Sequence, residues 1–142
     1  MAFDSCDDKR LWYSFNEFPY GMETITHRDT SIRLKQNLCK RVQKYVNIDD
    51  DVVMKYLGCS MQSFLQHIEQ QRYKCDVNVC WQNYGTRWHI DHLAPVAILK
   101  VDHSLKMIKK LCNYRNLQPL SASQNASKKD TITDEAAQYL ME

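Results

Sequence analysis

Apolar and polar residues alternate along the five-residue stretch Trp88-His89-Ile90-Asp91-His92. A period of two predicts a half-buried β-strand, because neighbouring side chains of a strand point to opposite faces. Asp91 and His92 are therefore expected at the end of a strand, with their side chains facing different ways.

A second short strand is predicted at Asn116-Leu117-Gln118-Pro119-Leu120, where the proline limits the strand to a sheet edge or to an exit. Residues 121–129 follow it, beginning with Ser121 as N-cap and continuing as a polar, weakly helical turn. A strand, an intervening segment, a second strand and a helix, in this order, predict a small unit in which polar side chains converge.

Helical periodicity dominates the first half of the chain. Residues 30–46 have Thr30 or Ser31 as the expected N-cap, and their apolar stripe consists of Ile32, Leu38, Val42 and Tyr45. Residues 52–57 and a helix capped by Ser60 flank Gly58, which predicts helix, tight turn, helix. A DNA-reading helix-turn-helix and plain packing are both compatible with this pattern.

Further helices are predicted between the two strands, at residues 104–112, and in the acidic tail, at residues 133–142. His67 and Glu69 are expected on the solvent side of their helix. The aromatic residues between positions 12 and 20 are expected to pack rather than to recognise a ligand.

Length and composition fit one domain, or a module with a small appendage, since 142 residues with 44% hydrophobic side chains can bury a modest core. The formal charge of +2 is too small to establish a nucleic-acid partner. Charge distribution is more informative: residues 28–44 carry six basic residues against Asp29. Two interpretations of this segment stay open, a solvated helix face and a helix that contacts DNA phosphates.

Six cysteines include no Cys-x-x-Cys pair, which argues against a zinc knuckle or a redox motif. The N-terminus lacks a basic-then-apolar signal sequence, and no apolar run approaches the roughly 20 residues of a membrane span. We expect a soluble, intracellular protein of the cytoplasm or nucleus, with reduced thiols and no membrane partner.

The residues around the two strands resemble a known family, the HNH endonucleases, whose ββα-metal finger carries a His near the end of strand one, an Asn at strand two and a His or Asn on the helix. Asp91-His92, Asn116 and Asn125 match this pattern as its H-N-N variant. The flanking Trp81-x-Asn83-Tyr84-Gly85 is similar to HNH nucleases of phages, large DNA viruses and mobile introns, some of which are homing endonucleases. The resemblance covers about residues 81–130, and a viral or phage source is one expectation from it.

The resemblance implies a role for each matched residue. His92 would be the general base, because an imidazole with an unperturbed pKa near 6.5 accepts a proton at neutral pH. Asn116 would orient that imidazole through its other nitrogen or a nearby carbonyl. Asp91 and Asn125 would bind one divalent ion per active site, and their oxygen donors favour Mg²⁺ or Mn²⁺ over Zn²⁺. Taken singly, each is also an ordinary strand-end or turn residue.

Several basic residues are candidates for DNA contact. Lys128 and Lys129 follow the proposed ligand on the helix, and His89 and Arg87 lie in or beside the first strand. The basic N-terminal helix adds Arg33, Lys40 and Lys44.

These observations predict an α+β protein with a mainly helical N-terminal half, residues 1–75, whose helices are candidates for DNA contact, and an HNH nuclease module with a C-terminal helix, residues 76–142. The expected function is metal-dependent hydrolysis of DNA phosphodiester bonds to 5′-phosphate and 3′-hydroxyl ends, by a monomer or a homodimer. The alternatives are a non-catalytic DNA-binding or virion protein that keeps the HNH scaffold, and a nuclease for junctions or RNA.

Overall fold

The computed structural model describes the backbone of residues 21–142 and the side chains of residues 30–142. The aromatic positions between 12 and 20, which were predicted to pack, lie outside these residues. The described part contains six α-helices and two strands: α1 Gly21–Gln43, α2 Asp50–Leu57, α3 Met61–Gln70, β1 Trp88–His92, α4 Leu105–Cys112, β2 Leu117–Ser121, α5 Ala122–Lys128 and α6 Asp134–Met141. The protein is therefore of the α+β class, as predicted.

Helix α1 is longer than its apolar stripe suggested. The predicted N-cap at Thr30 or Ser31 is wrong, because both residues lie inside a helix that begins at Gly21. No proline interrupts this segment, so the backbone continues its hydrogen-bonded turns towards the N-terminus. Leu38 and Val42 are buried as expected, whereas Ile32 is 48% exposed.

The predicted helix, turn and helix at residues 50–70 is confirmed. Gly58 ends α2 with a φ of 81°, the left-handed conformation that glycine adopts without a steric penalty. The side chain of Ser60 accepts a hydrogen bond from the Ser63 amide at 3.1 Å and caps α3.

The polar flank of α3 is covered by other parts of the chain, so the prediction that His67 and Glu69 face solvent is wrong. A ring nitrogen of His67 lies 3.0 Å from the carbonyl oxygen of Leu117 in β2. Glu69 accepts a hydrogen bond from the indole nitrogen of Trp81 at 2.9 Å. Both contacts depend on long-range packing, which helical periodicity does not report.

Strands β1 and β2 pair antiparallel, with Asp91 opposite Gln118 and His92 opposite Leu117. Strand β2 begins one residue later than predicted, because Asn116 ends a 3₁₀ helix, Tyr114–Asn116. Ser121 is confirmed as the N-cap of α5: its side chain accepts from the Gln124 amide at 3.1 Å, and the Gln124 side chain accepts from the Ser121 amide at 2.9 Å. Helix α5 therefore starts directly at the end of β2.

Two hydrophobic clusters hold these elements together. One packs α1 and α3 against the antiparallel strands β1 and β2, together called the hairpin below, and includes Phe64 and Trp88, both fully buried. The other packs α1 and α2 against α4 and α6 and includes Leu99 and Leu111. Each cluster combines side chains from before and after residue 75, so the helical region and the hairpin unit share their core.

The two predicted C-terminal helices are also confirmed, as α4 and α6, with Ser104 and Thr133 as their caps. Among residues 21–142, no helix is both long enough and apolar enough to cross a membrane. The five cysteines in this part of the chain are free thiols.

Candidate active site

The hairpin presents its two faces to different surroundings. Trp88 and Ile90 point into the core, so the alternation of the strand turns Asp91 towards the other face. Helix α5 packs against both strands. The polar ends of β1, β2 and α5 therefore meet around Asp91.

Asp91 is a buried carboxylate, 6% exposed, and its Oδ2 atom has two partners. The Gln118 side-chain amide donates to this oxygen at 2.9 Å, and the Lys128 ammonium lies 3.3 Å from it. The second oxygen, Oδ1, makes no hydrogen bond to the described residues and is not sealed from solvent. One oxygen of Asp91 is thus held in place, and the other is open to a ligand.

Lys128, predicted to contact DNA, lies inside this cluster. Its side chain is 9% exposed, and its Nζ atom also donates to the backbone oxygen of His92 at 3.0 Å. Asn125, the second predicted metal ligand, precedes Lys128 by three residues on α5 and is half-buried. Residues three apart lie on the same side of a helix, so Asn125 and Lys128 share the side that faces the hairpin.

His92 is nearly buried, 5% exposed, and no described residue makes a hydrogen bond to its ring. Burial, together with the nearby charges of Arg41 and Lys128, lowers the pKa of His92 from 6.5 to about 3. The imidazole is therefore neutral at physiological pH. His92 borders a small cavity whose other walls are apolar or thiol side chains: Leu38, Val42, Val53, Met54, Leu57, Cys112 and Leu117.

Asn116 fixes the chain just after His92. Its side-chain oxygen accepts a hydrogen bond from the Ala94 amide at 2.7 Å, and its side-chain nitrogen donates to the carbonyl oxygens of Ala94 and Leu111, each at 3.0 Å. Among the described residues, every hydrogen-bond partner of this fully buried side chain is a backbone group. Asn116 therefore acts on the loop that leaves β1 and not directly on the imidazole.

Arg41 is a residue of this region that the sequence did not single out. Its guanidinium donates to the backbone oxygen of Ile90, and its charge adds to the larger effect of burial in lowering the pKa of His92 and of His89. Helical spacing contained the signal, because Arg33, Asn37 and Arg41 form an i, i+4, i+8 row beside the buried Leu34, Leu38 and Val42. Basic content alone did not separate Arg41 from its neighbours.

The remaining predicted DNA-contacting residues lie in different settings. Arg33 donates to the backbone oxygen of Tyr84 at 3.1 Å, whereas the side chains of Lys40 and Lys44 are exposed on α1. Arg87 and Lys129 are exposed at opposite ends of the hairpin-helix unit, and His89 is half-buried. The structure thus brings Asp91, His92 and Lys128 together and leaves the α1 lysines on the surface.

The donors around Asp91 fit a weakly held hard cation. Among the described residues, no group of three or more His, Cys, Asp and Glu side chains is placed to hold a metal. Asp91 and Asn125 would supply only a carboxylate and an amide oxygen, donors that suit Mg²⁺ or Mn²⁺, and water and phosphate would have to complete the coordination. The open Oδ1 atom of Asp91 agrees with this requirement.

The fold and the site define an α+β protein whose two-stranded antiparallel sheet is followed directly by a helix. The sequence is similar to an uncharacterised protein of Acanthamoeba polyphaga mimivirus, with 31% identity over 106 residues. That match covers 73% of this chain and 45% of the mimivirus protein, so the chain spans less than half the length of this relative. No protein-family model and no solved structure matches the chain.

Proposed function

We propose that this protein is a metal-dependent endonuclease that hydrolyses DNA phosphodiester bonds through an HNH-type ββα-metal site. Support comes first from one observation: a buried carboxylate, Asp91, faces the helix that carries Asn125, and His92 follows it in the chain. The elements follow one another as strand, intervening segment, strand and helix, and this order agrees with the H-N-N pattern of the sequence. The likeness to a mimivirus protein agrees with the expected viral or phage source.

Each residue has a task that its surroundings favour. Asp91 and Asn125 would hold the cation, which supplies a positive charge that stabilises the pentacovalent phosphate and the leaving oxygen. His92 would take a proton from the attacking water, and its neutral ring is the protonation state that a general base needs. Asn116 would hold the loop after His92, and so the end of β1, in one position.

The low pKa of His92 belongs to the protein without DNA. Burial is its largest cause, and two cations, Arg41 and Lys128, add to the effect of burial. A phosphodiester anion next to the ring would partly cancel their effect and would raise the pKa of His92, because a nearby negative charge favours the imidazolium. The base would then become stronger when substrate is bound.

A second candidate function, a non-catalytic DNA-binding protein on the same scaffold, is favoured by one observation. His92 is 5% exposed and borders an apolar cavity, which limits the access of water to its ring. Such a protein would bind DNA through the exposed α1 lysines and would not cleave it.

A plasmid assay separates the two functions. We expect the protein to convert supercoiled plasmid to nicked or linear DNA with Mg²⁺ or Mn²⁺, and we expect EDTA to stop the reaction. The products should be sealed by a DNA ligase without further treatment, since ligation needs 5′-phosphate and 3′-hydroxyl ends. His92→Ala should lose cleavage, while His103→Ala, which changes an exposed histidine, should retain it.

Binding without cleavage under all metal conditions would contradict the nuclease proposal and favour the scaffold protein. A panel of junction DNA, duplex DNA and RNA tests the remaining alternative, a structure-specific or RNA nuclease. Sedimentation of the protein with and without DNA distinguishes the expected monomer from a homodimer.

A further inference from the structure

The ammonium of Lys128 lies next to the carboxylate of Asp91, where the proposed metal ion would bind. Its Nζ atom lies 3.3 Å from Oδ2 of Asp91 and 3.0 Å from the backbone oxygen of His92. The side chains of the two charged residues are 9% and 8% exposed. Because both side chains are buried, water screens their charges less than it screens those of a surface salt bridge.

The surroundings of Asp91 require a positive charge. Taking a carboxylate out of water is unfavourable unless a cation and hydrogen bonds compensate it. Gln118 supplies a hydrogen bond at 2.9 Å, but its own side-chain oxygen accepts from Lys74 at 3.0 Å, and Lys74 is paired with Glu135 at 2.9 Å. Among the described residues, Lys128 is thus the cation in ion-pair contact with Asp91.

From this geometry we infer that Lys128 is the counter-ion of Asp91 in the metal-free protein, and that a divalent cation bound at Asp91 displaces it. The inference rests on the proposed function, because it assumes that Asp91 is a metal ligand. Two cations cannot share a small, poorly hydrated site without strong repulsion. The four-carbon side chain of Lys128 is flexible enough to swing away, so the same residue neutralises Asp91 first and is released to solvent or phosphate afterwards.

Competition predicts a specific effect of removing the charge. Lys128→Met keeps the length of the side chain and removes the ammonium. Calorimetry in the absence of DNA measures the affinity for Mn²⁺. We expect Lys128→Met to bind Mn²⁺ at least about fivefold more tightly than the wild-type protein does, which is the low end of the coupling usually found between two binding events. Lys106→Met, the same charge change at an exposed position of α4, should leave the affinity unchanged.

A second measurement uses the wild-type protein, so it does not depend on the folding of a variant. An amine-acetylating reagent followed by mass spectrometry reports the accessibility of each lysine. In EDTA, Lys128 should react much more slowly than the exposed Lys106. Saturating Mn²⁺ should raise the labelling of Lys128 several-fold and leave that of Lys106 unchanged.

The outcomes separate the two claims. Mn²⁺ binding of equal strength in wild type and Lys128→Met, with unchanged labelling of Lys128, overturns the counter-ion inference and leaves the metal-dependent nuclease intact. No Mn²⁺ binding to either protein overturns the metal site, and the counter-ion role with it. Binding by Lys128→Met alone supports the inference in its strongest form.

Discussion

Asn116 binds both backbone groups of Ala94: its side-chain oxygen accepts from the amide at 2.7 Å, and its side-chain nitrogen donates to the carbonyl at 3.0 Å. This pair of hydrogen bonds joins the residue immediately before β2 to the loop that leaves β1, only two residues after His92. A third hydrogen bond, to the Leu111 carbonyl at 3.0 Å, ties the same side chain to the end of α4.

Replacing Asn116 should therefore destabilise the protein. Asn116→Ala leaves three buried backbone groups without this partner, and we expect a loss of roughly 3 kcal/mol or more in the free energy of unfolding, since each unsatisfied buried group costs about 1–3 kcal/mol. Urea denaturation measures this loss. Asn47→Ala, at an exposed position between α1 and α2, is the matched control and should change the free energy by less than about 0.5 kcal/mol. An equal, small effect of both substitutions would contradict the anchoring role of Asn116.

The hairpin and its helix follow from local sequence signals. Alternation at residues 88–92 defined β1, and Ser121 with Gln124 defined the start of α5, because strand period and helix capping depend on neighbours in the chain. Asp91 and His92 end β1, and Asn116 binds the backbone of the loop that follows this strand.

Other properties of the site arise from contacts between distant residues. The burial of Lys128 against Asp91 and the contact of Arg41 with β1 involve separations of 37 and 49 positions in the chain. The sequence predicted Lys128 as a DNA contact and did not distinguish Arg41 from the other basic residues of α1. The low pKa of His92 has the same origin, since burial and two distant cations determine it.

Burial of a neutral His92 makes stability depend on pH. Its pKa is about 3 in the folded protein and near 6.5 when unfolded, so the unfolded state binds more protons between these values. The contribution of His92 to stability is therefore present above about pH 6.5 and is lost as the pH falls towards 3, with a slope of up to about 1.4 kcal/mol per pH unit. Arg41 and Lys128 are the charged groups that face it from α1 and α5.

Denaturation of the EDTA-treated protein at several pH values measures this slope. The difference between wild type and His92→Gln isolates the imidazole, because the carboxylates titrate in both proteins. We expect the pH dependence to be shallower in His92→Gln and unchanged in His103→Gln, which alters an exposed histidine. Parallel curves for wild type and His92→Gln would show that His92 is not a buried neutral residue.

The basic face of α1 should contribute to DNA affinity without reading sequence. Arg33, Lys40 and Lys44 are spaced i, i+7 and i+11, which places them on one side of a helix with 3.6 residues per turn. Arg33 also holds Tyr84, so the cleaner variant is Lys40→Ala/Lys44→Ala. This variant should weaken binding to all DNA sequences alike and reduce the slope of log K against log salt by about 0.9 per lost phosphate contact.

Lys55→Ala/Lys106→Ala removes the same charge from exposed positions of α2 and α4 and serves as the control. Fluorescence anisotropy at several salt concentrations gives both slopes. If the two double variants give the same slope, the α1 lysines only face solvent and the predicted DNA contacts are wrong.

Adjacent residues at the end of β1 should have separable roles, because Asp91 meets α5 and His92 borders the apolar cavity. His92→Ala removes the proposed base and leaves the oxygen ligands in place. We expect Mn²⁺ and DNA binding to persist, while the cleavage rate falls by roughly 10² to 10⁴, the usual contribution of general base catalysis. Asp91→Asn should instead lose most of its affinity for Mn²⁺.

Asp91→Asn also leaves the buried ammonium of Lys128 without its carboxylate, so a loss of folding has to be distinguished from a loss of metal affinity. The double variant Asp91→Asn/Lys128→Met removes both charges and should recover much of the stability, yet it should still fail to bind Mn²⁺. Asp102→Asn, at an exposed carboxylate, controls for the charge change. Retention of Mn²⁺ by the double variant, or its loss in His92→Ala, would reverse the two roles, and cleavage by His92→Ala at the wild-type rate would exclude an HNH mechanism at this site.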